Sequence, residues 1–138
     1  MKNLFFSLMA AGMLLTACNS NQTQANNTSA NAADAPVMKF EKEIHDFGKI
    51  KKGDKVTYDF KFTNTGKSPL IITDAVATCG CTKPEWPKTP VKPGEAGSIH
   101  VTFDSTGKMG LQDKMITVTA NTKPSQNMVH LIGEVTLN

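Results

Sequence analysis

The residues best suited to chemistry are two cysteines in the middle of the chain. Cys79 and Cys81 flank Gly80 and follow an apolar run typical of a β-strand. A third cysteine, Cys18, lies near the N-terminus. Thiols can pair in a disulfide, exchange with another thiol pair, or bind a soft metal ion. No other pattern in the chain points to a reactive group.

A structural disulfide between Cys79 and Cys81 is the first interpretation of this spacing. Two residues of separation put the α-carbons near the upper end of the range that a disulfide spans, and Gly80 provides backbone freedom to close the ring. An oxidising compartment would favour the bond. Because the closed loop is so short, it constrains little unfolded-chain entropy, and we expect only slight stabilisation.

Three other interpretations of the cysteine pair stay open. A strained, exposed disulfide exchanges readily, so the pair could act as a redox couple. Two thiolates could instead bind Cu(I), although nothing in the sequence brings a histidine near them as a further ligand. The histidines are His45, His100 and His130. The last interpretation is a pair of reduced thiols without a role. The chain lacks a thioredoxin-like Cys-x-x-Cys and the four-ligand spacing of zinc sites, so we predict no cofactor and no metal.

The rest of the composition excludes several classes of function. The 15 lysine and arginine residues are all lysine, and the formal net charge is only +3. Because arginine provides bidentate recognition of phosphate, we do not expect binding to nucleic acid. Gly-x-Ser-x-Gly, His-Glu-x-x-His and phosphate-binding loops are also missing from the sequence. We therefore predict that the protein is not an enzyme.

The N-terminus is typical of a bacterial lipoprotein signal. Lys2 precedes an apolar segment that is shorter than the ~20 residues of a membrane-spanning helix. This segment ends in Leu15-Thr16-Ala17-Cys18, which resembles a lipobox. We predict a signal peptide over residues 1–17 and a lipid on Cys18, with an ordinary cleaved signal and an incidental cysteine as the alternative. Three acyl chains would be enough for stable anchoring.

A flexible tether is predicted to follow the lipid, over residues 18–35. After Cys18 this segment has no large apolar residue and is rich in Asn, Ser, Thr and Ala, so it cannot offset the entropy of ordering. An acidic cluster after the lipidated cysteine often serves as the signal for export of a lipoprotein to the cell surface. Because no such cluster follows Cys18, we place the anchor in the outer membrane, facing the periplasm. The predicted partners are the membrane, through Cys18, and an unidentified envelope protein or glycan.

Residues 36–138 show the period-two alternation of β-strands, with no helical periodicity. In residues 55–63, Val56, Tyr58, Phe60 and Phe62 alternate with polar residues, which is typical of a strand with one wet face. About seven such strands, separated by turn signals, predict an all-β immunoglobulin-like Greek-key sandwich. The proline-rich segment after the cysteines is predicted to be a connection with little room for regular strand.

The chain resembles domain-of-unknown-function family 1573, a family of bacterial immunoglobulin-like proteins. The motifs that carry the resemblance are His45-Asp46-Phe47-Gly48, Phe60 to Gly66, Pro69-Leu70-Ile71-Ile72, Cys79-Gly80-Cys81-Thr82 and Pro93-Gly94-Glu95. The resemblance implies an immunoglobulin-like sandwich similar to domains that act as binding or scaffolding modules. It assigns no catalytic role to Cys79 or Cys81.

We therefore expect a lipid-anchored envelope protein that presents a non-catalytic binding or scaffolding domain. The alternative is a thiol-disulfide or copper-handling periplasmic protein that uses Cys79 and Cys81.

Overall fold

Residues 32–137 are described by a computed structural model and form eight β-strands. The strands are β1 (Met38–Phe40), β2 (Ile44–Lys51), β3 (Lys55–Asn64), β4 (Ile72–Ala77), β5 (Thr82–Glu85), β6 (Ala96–Asp104), β7 (Gly110–Ala120) and β8 (Gln126–Thr136). The first sheet has the order β1-β3-β6-β5 and the second has the order β2-β8-β7-β4. The predicted all-β sandwich is thereby confirmed.

The core lies between the two sheets and follows the alternation in the sequence. On β3 the inward side chains include Phe60 and Phe62, which are fully buried, and their neighbours Thr57, Asp59 and Lys61 are exposed. The long strands β6, β7 and β8 alternate in the same way. Aromatic and β-branched side chains therefore fill the space between the sheets, as expected for sheets with one solvated face.

The prediction of about seven strands missed β5, which lies in the proline-rich segment after the cysteines. β5 is an edge strand that pairs with β6, and Pro84 stands opposite Val101. Proline is tolerated there because an edge strand has one side without ladder hydrogen bonds, so the missing N–H is not needed. The prediction treated proline as a strand breaker without knowing that the strand lies at an edge.

The N-terminal strands join the two sheets. β1 belongs to the first sheet, whereas β2 belongs to the second and pairs with β8 in parallel. The ladder between β2 and β8 shifts register between Asp46 and Lys49, at the predicted bend of Gly48. Gly48 has a φ of 74°, which favours glycine, and its N–H donates to the Asp46 carboxylate at 2.7 Å. Phe47 points inward at this bulge and packs against the core.

The Asn64 side chain is hydrogen-bonded to three other segments at one end of the sandwich. It is fully buried, and Nδ2 donates to the carbonyls of Ser68 at 2.8 Å and Val91 at 2.9 Å. Its Oδ1 accepts from the N–H groups of Val37 and Gly66. All four hydrogen-bonding positions of the amide are thus used, which is how a polar side chain can be buried at low cost.

Residues just before the predicted domain start at residue 36 also contact the domain. Residues 32–34 form a 3-10 turn, and the Asp34 carbonyl accepts a hydrogen bond from Ser68 Oγ. Lys67 Nζ also lies 3.7 Å from the Asp34 carboxylate. The last residues of the segment predicted to be tether therefore contact the domain. No helix within residues 32–137 has the length and apolar character needed to cross a membrane.

Candidate functional site

Cys79 and Cys81 lie where the chain passes from β4 in the second sheet to β5 in the first. Their sulfur atoms form a disulfide, and their α-carbons are 5.3 Å apart. The Thr82 N–H donates to the Cys79 carbonyl at 3.1 Å, which closes a tight turn around the bond. Both cysteines are half-buried, and Cys81 packs against the core. The disulfide therefore braces the crossing between the two sheets.

The conformation of Gly80 is one that other residues can also adopt. Its φ lies outside the left-handed region, and a Cβ atom added to it would meet no atom within 4 Å. An L-residue could therefore occupy this position, and closing the ring does not require a glycine there. Gly80 is exposed at the tip of the turn, so a larger side chain there would point into solvent.

A shallow groove beside the disulfide carries positive charge. Cys81 lines it together with Lys55, Lys83 and Asp104, and no histidine is among its lining residues. Lys55 Nζ lies 3.6 Å from the Asp104 carboxylate. Hydrogen bonds from Thr106 to Asp104, and in addition the charge of Lys55, lower the pKa of this carboxyl from its usual value. Asp104 therefore stays ionised beside the disulfide.

The three histidines are not brought together. His45 points inward from β2, with its ring stacked on Tyr58 at 3.5 Å between centroids. His100 Nδ1 lies 2.7 Å from Asp59 on the outer face of the first sheet. His130 is on the outer face of the second sheet. In the described part of the chain, no three His, Cys, Asp or Glu side chains converge as metal ligands.

The outer faces of the two sheets differ in character. Apart from Ala96, the first sheet presents polar and charged side chains on β3, β5 and β6, among them Lys55, Thr57, Asp59, Lys61, Lys83, Glu85, Ser98, His100, Thr102 and Asp104. The second sheet presents an apolar group, which we call the apolar face: Ile44, Val76, Met115, Met128 and Ile132. Three of these side chains, Ile44, Val76 and Met128, are more than half exposed, at 58%, 55% and 53%.

The free edge of the second sheet adjoins this apolar face. β4 is the edge strand, and the Thr78 N–H just after it donates to the Met115 carbonyl of β7 at 3.1 Å. Donors alternate sides along an antiparallel strand, so the N–H groups of Ala75 and Ala77 point away from β7. The Ala75 N–H is satisfied by the Asp74 carboxylate at 2.9 Å. Ala77 thus presents its donor at the edge.

Sequence reasoning did not identify the apolar face or the β4 edge. The signal was present in part, because Met115 and Met128 occupy positions in their strands that alternate with buried residues. Which strands are neighbours and which strand lies at an edge follow only from the sheet order. Cys18, the predicted lipidation site, lies outside the described residues.

The family of the chain follows from a match to a family model. The model described as "Protein of unknown function (DUF1573)" matches residues 38–135, so the chain belongs to this family. The match confirms the family that the motifs indicated. No curated protein matches the chain.

Several solved structures share the fold at low sequence identity. A protein of unknown function from Porphyromonas gingivalis W83 is 18% identical, with a TM-score of 0.66, and the match covers 79% of this chain and 51% of that one. The chain thus spans about half the length of that protein. The ASH/PapD-like domain 7 of human CEP192 is 9% identical, with a TM-score of 0.57 and coverage of 96% and 99%.

A secreted serine protease, VesC from Vibrio cholerae, is also similar to this chain. It is 12% identical, with a TM-score of 0.56, and the match covers 71% of this chain but only 23% of the protease. At these identities the similarities establish the fold and carry no information about activity.

Proposed function

We propose that this DUF1573 protein is a lipid-anchored, non-catalytic binding module of the cell envelope. Its partner is another envelope protein, which adds an extended segment to the free edge of β4. The observation that carries the proposal is this edge, which has neither lysine nor proline, beside the apolar face. Strand addition uses main-chain hydrogen bonds for affinity and side-chain contacts for specificity, and β4 offers both.

The four edge strands differ in how they are protected. Lysine, proline, bulges and short length are the usual features that prevent edges from pairing with other chains. β1 has three residues and includes Lys39, β2 has a bulge and two lysines, and β5 contains Lys83 and Pro84. The β4 ladder also shifts register, between Ile72 and Asp74, but β4 contains neither lysine nor proline, and Val76 on it is 55% exposed. β4 is therefore the edge best suited to accept a strand.

The proposed anchor determines where this partner is found. With a lipid on Cys18, the segment up to about residue 31 links the domain to the outer membrane. A random coil of this length has a root-mean-square reach of roughly 20 Å. The domain would therefore engage partners close to the membrane surface, on its periplasmic side.

Site-specific photo-crosslinking tests the strand-addition proposal in the full-length protein in its own host. Benzoylphenylalanine at Val76 is expected to give a defined crosslinked product, because this side chain lies beside the added strand. The matched control is the same residue at Thr57, which is exposed on the polar face of the first sheet. Peptide mapping should place the crosslink in one extended segment of the partner.

The substitution Val76→Lys tests whether the crosslinked protein binds at β4 or only lies near it. Val76→Lys adds the protective residue that the other edges carry, so it should reduce co-purification of the crosslinked partner at least about tenfold. Thr57→Lys should have no effect. Equal crosslinking at both positions, or a Val76→Lys variant that binds as well as wild type, would contradict the proposal. A crosslinked product that contains glycan instead of peptide would also contradict it.

Intact mass tests the anchor independently. The mature protein should begin at Cys18 and carry the added mass of a diacylglyceryl group and an N-acyl chain. Cys18→Ser should move the protein from the membrane fraction to the soluble fraction. A wild-type protein that is soluble and unmodified would show that the predicted lipid is absent, whatever the result at β4.

A second candidate function, thiol-disulfide exchange, is favoured by the groove beside Cys81. Nearby lysines stabilise a thiolate, and Cys81 lies beside Lys55 and Lys83. A redox role predicts that the pair equilibrates with glutathione at a measurable potential and that replacing both cysteines by serine abolishes function. A structural role predicts a loss of about 1.5 kcal/mol of stability, from closure of a three-residue loop, with function retained.

A further inference from the structure

One histidine on the apolar face has methionines as its neighbours. His130 on β8 stands directly opposite Met115 on β7. Met128 lies two residues before His130 on the same side of β8, opposite Thr117. Thioether sulfur and imidazole nitrogen are donors suited to soft ions such as Cu(I). We propose that Met115, Met128 and His130 form a binding site for a soft monovalent metal ion, Cu(I) or Ag(I).

The hydrogen-bond pattern brings Met115 and His130 close together. The Met115 carbonyl accepts from Thr78 on the β4 side, and the His130 N–H donates to the Glu43 carbonyl on the β2 side at 2.7 Å. Both residues thus direct their backbone groups away from each other and form a non-hydrogen-bonded pair. In such pairs the α-carbons are ~4.5 Å apart and the side chains are closer than in the hydrogen-bonded type.

Met128 completes the set from the neighbouring row. It is the i−2 neighbour of His130, at ~7 Å along the strand, and the diagonal neighbour of Met115. Methionine has three rotatable bonds, so two methionine side chains at these positions can turn their sulfurs toward one point above the sheet. Met128 is 53% exposed and Met115 is partly exposed, so an ion can reach them from solvent.

Asp113 orients the imidazole for this task. Its carboxylate lies 2.8 Å from His130 Nδ1. When Nδ1–H donates to the carboxylate, the lone pair of Nε2 is left free and faces away from Asp113. Histidine ligands in metal sites generally have such a partner on the other ring nitrogen, because it sets the tautomer and raises ligand basicity. Asp113 is therefore a positioning residue of the site.

The other surface histidine provides an internal comparison. His100 also pairs with a carboxylate, Asp59 at 2.7 Å, but its cross-strand neighbours are Asp59 and Glu85. These neighbours provide oxygen donors, which suit hard ions and not Cu(I). The same His–Asp pair thus occurs on both sheets, and only the pair on the second sheet has thioether neighbours.

The disulfide strengthens the case for thioether ligands. A thiol binds metal as the thiolate, and Cys79 and Cys81 are joined to each other and have no thiolate to offer. A thioether needs no deprotonation to bind a metal ion and cannot be lost to a disulfide. The copper-handling alternative therefore moves from the cysteine pair to the apolar face, and it does not depend on the proposed protein partner.

Metal titration of the full-length protein in detergent tests the site. Ag(I), added as nitrate in chloride-free buffer, should bind at one ion per protein. In methyl NMR spectra, the ε-methyl signals of Met115 and Met128 should shift, and the signal of Met109, in the loop before β7, should not. Cu(I), generated with ascorbate and measured against a chromogenic chelator, should give the same stoichiometry.

Matched substitutions identify the ligands. Met115→Leu, Met128→Leu and His130→Gln should each weaken Ag(I) binding by at least about tenfold, and Asp113→Ala by about tenfold. His100→Gln is the control and should bind like wild type. Circular dichroism should verify that each variant is folded.

Three results would overturn the proposal. They are unchanged affinity in the His130→Gln variant, equal losses in the His100→Gln and His130→Gln variants, and loss of binding when both Cys79 and Cys81 are replaced by serine. The last result would place the ion at thiols.

Discussion

At the scale of single residues, the reactive groups of this chain are held by local partners. Cys79 and Cys81 are paired in a turn of three residues, and the histidines are held by a stacked ring or by a carboxylate. Such contacts set the chemical state of each side chain. Because Cys79 and Cys81 form a disulfide, thiol–disulfide exchange is the reaction left to them. Because Nδ1 of His130 is paired with Asp113, Nε2 is the ring nitrogen that remains available.

The stacked His45 predicts a pH dependence of stability. Burial, and then the charge of Lys42, lower the pKa of His45 below its usual value, against a smaller opposing effect of Asp46. The unfolded chain then binds more protons than the folded one as the pH falls below the unfolded value of ~6.5. The contribution of neutral His45 is therefore fully present above that pH and is lost as the pH falls through the folded pKa.

Urea unfolding between pH 8 and pH 5 measures this effect. His45→Phe keeps a ring to stack on Tyr58 but cannot be protonated, so its stability should decline less than that of wild type across this range. The free energy of unfolding of the variant should therefore rise relative to that of wild type as the pH is lowered. Parallel stability curves would show that His45 titrates alike in the folded and unfolded states.

At the scale of elements, glycine permits the close approach of β2 to β8. A Cβ atom at Gly133 would overlap the Phe47 ring, which packs into the core from the bulge of β2. This contact lets the parallel strand lie against β8 with a large aromatic side chain beneath it. The absence of a side chain at 133 is therefore a packing requirement, because φ at this residue is not in the left-handed region.

A pair of alanine substitutions tests the packing at Gly133. Gly133→Ala should lower the free energy of unfolding by about 1–3 kcal/mol, because the methyl group must displace Phe47. Gly80→Ala is the matched control, since a Cβ there meets no atom, and it should change stability by less than about 0.5 kcal/mol. Urea denaturation of both variants gives the comparison. Equal effects would mean that the ring moves aside at no cost.

At the scale of the whole molecule, one buried amide joins segments that are far apart in sequence. Asn64 hydrogen-bonds to residues 37, 66, 68 and 91, and its backbone N–H and carbonyl bond to Glu95 and Gly94. The end of β3, the start of β1 and the loop before β6 are thereby held together.

Removal of the Asn64 side chain should therefore destabilise the entire domain. Asn64→Ala leaves the buried Val91 carbonyl and three partly buried backbone groups without their partner, and we expect a loss of about 3 kcal/mol. Asn121→Ala is the control, because Asn121 makes two comparable bonds, to Ile71 N–H and the Pro69 carbonyl, from an exposed position. It should cost about 1 kcal/mol. Thermal unfolding measures both losses, provided that each variant unfolds in a single transition. Equal losses of unfolding free energy in the two variants would contradict the role of Asn64.

The sequence alone determined the fold class and the family. Alternation in β3, β6, β7 and β8 gives the strands their buried and wet faces, because side-chain direction has a period of two regardless of which strands pair. The position of the cysteines at the end of a strand was also predictable. The signal peptide over residues 1–17 and the lipid on Cys18 stay predictions, since these residues lie outside the described part of the chain.

Only the tertiary structure decided which residues share a surface. Met115 and His130 are 15 positions apart, and they become neighbours through the register of β7 and β8. β4 is an edge because of the sheet order, and β5 forms despite Pro84 because it lies at an edge too. The physical reason is that local periodicity determines which face of the sheet a side chain lies on, whereas the pairing of strands determines which side chains are its neighbours.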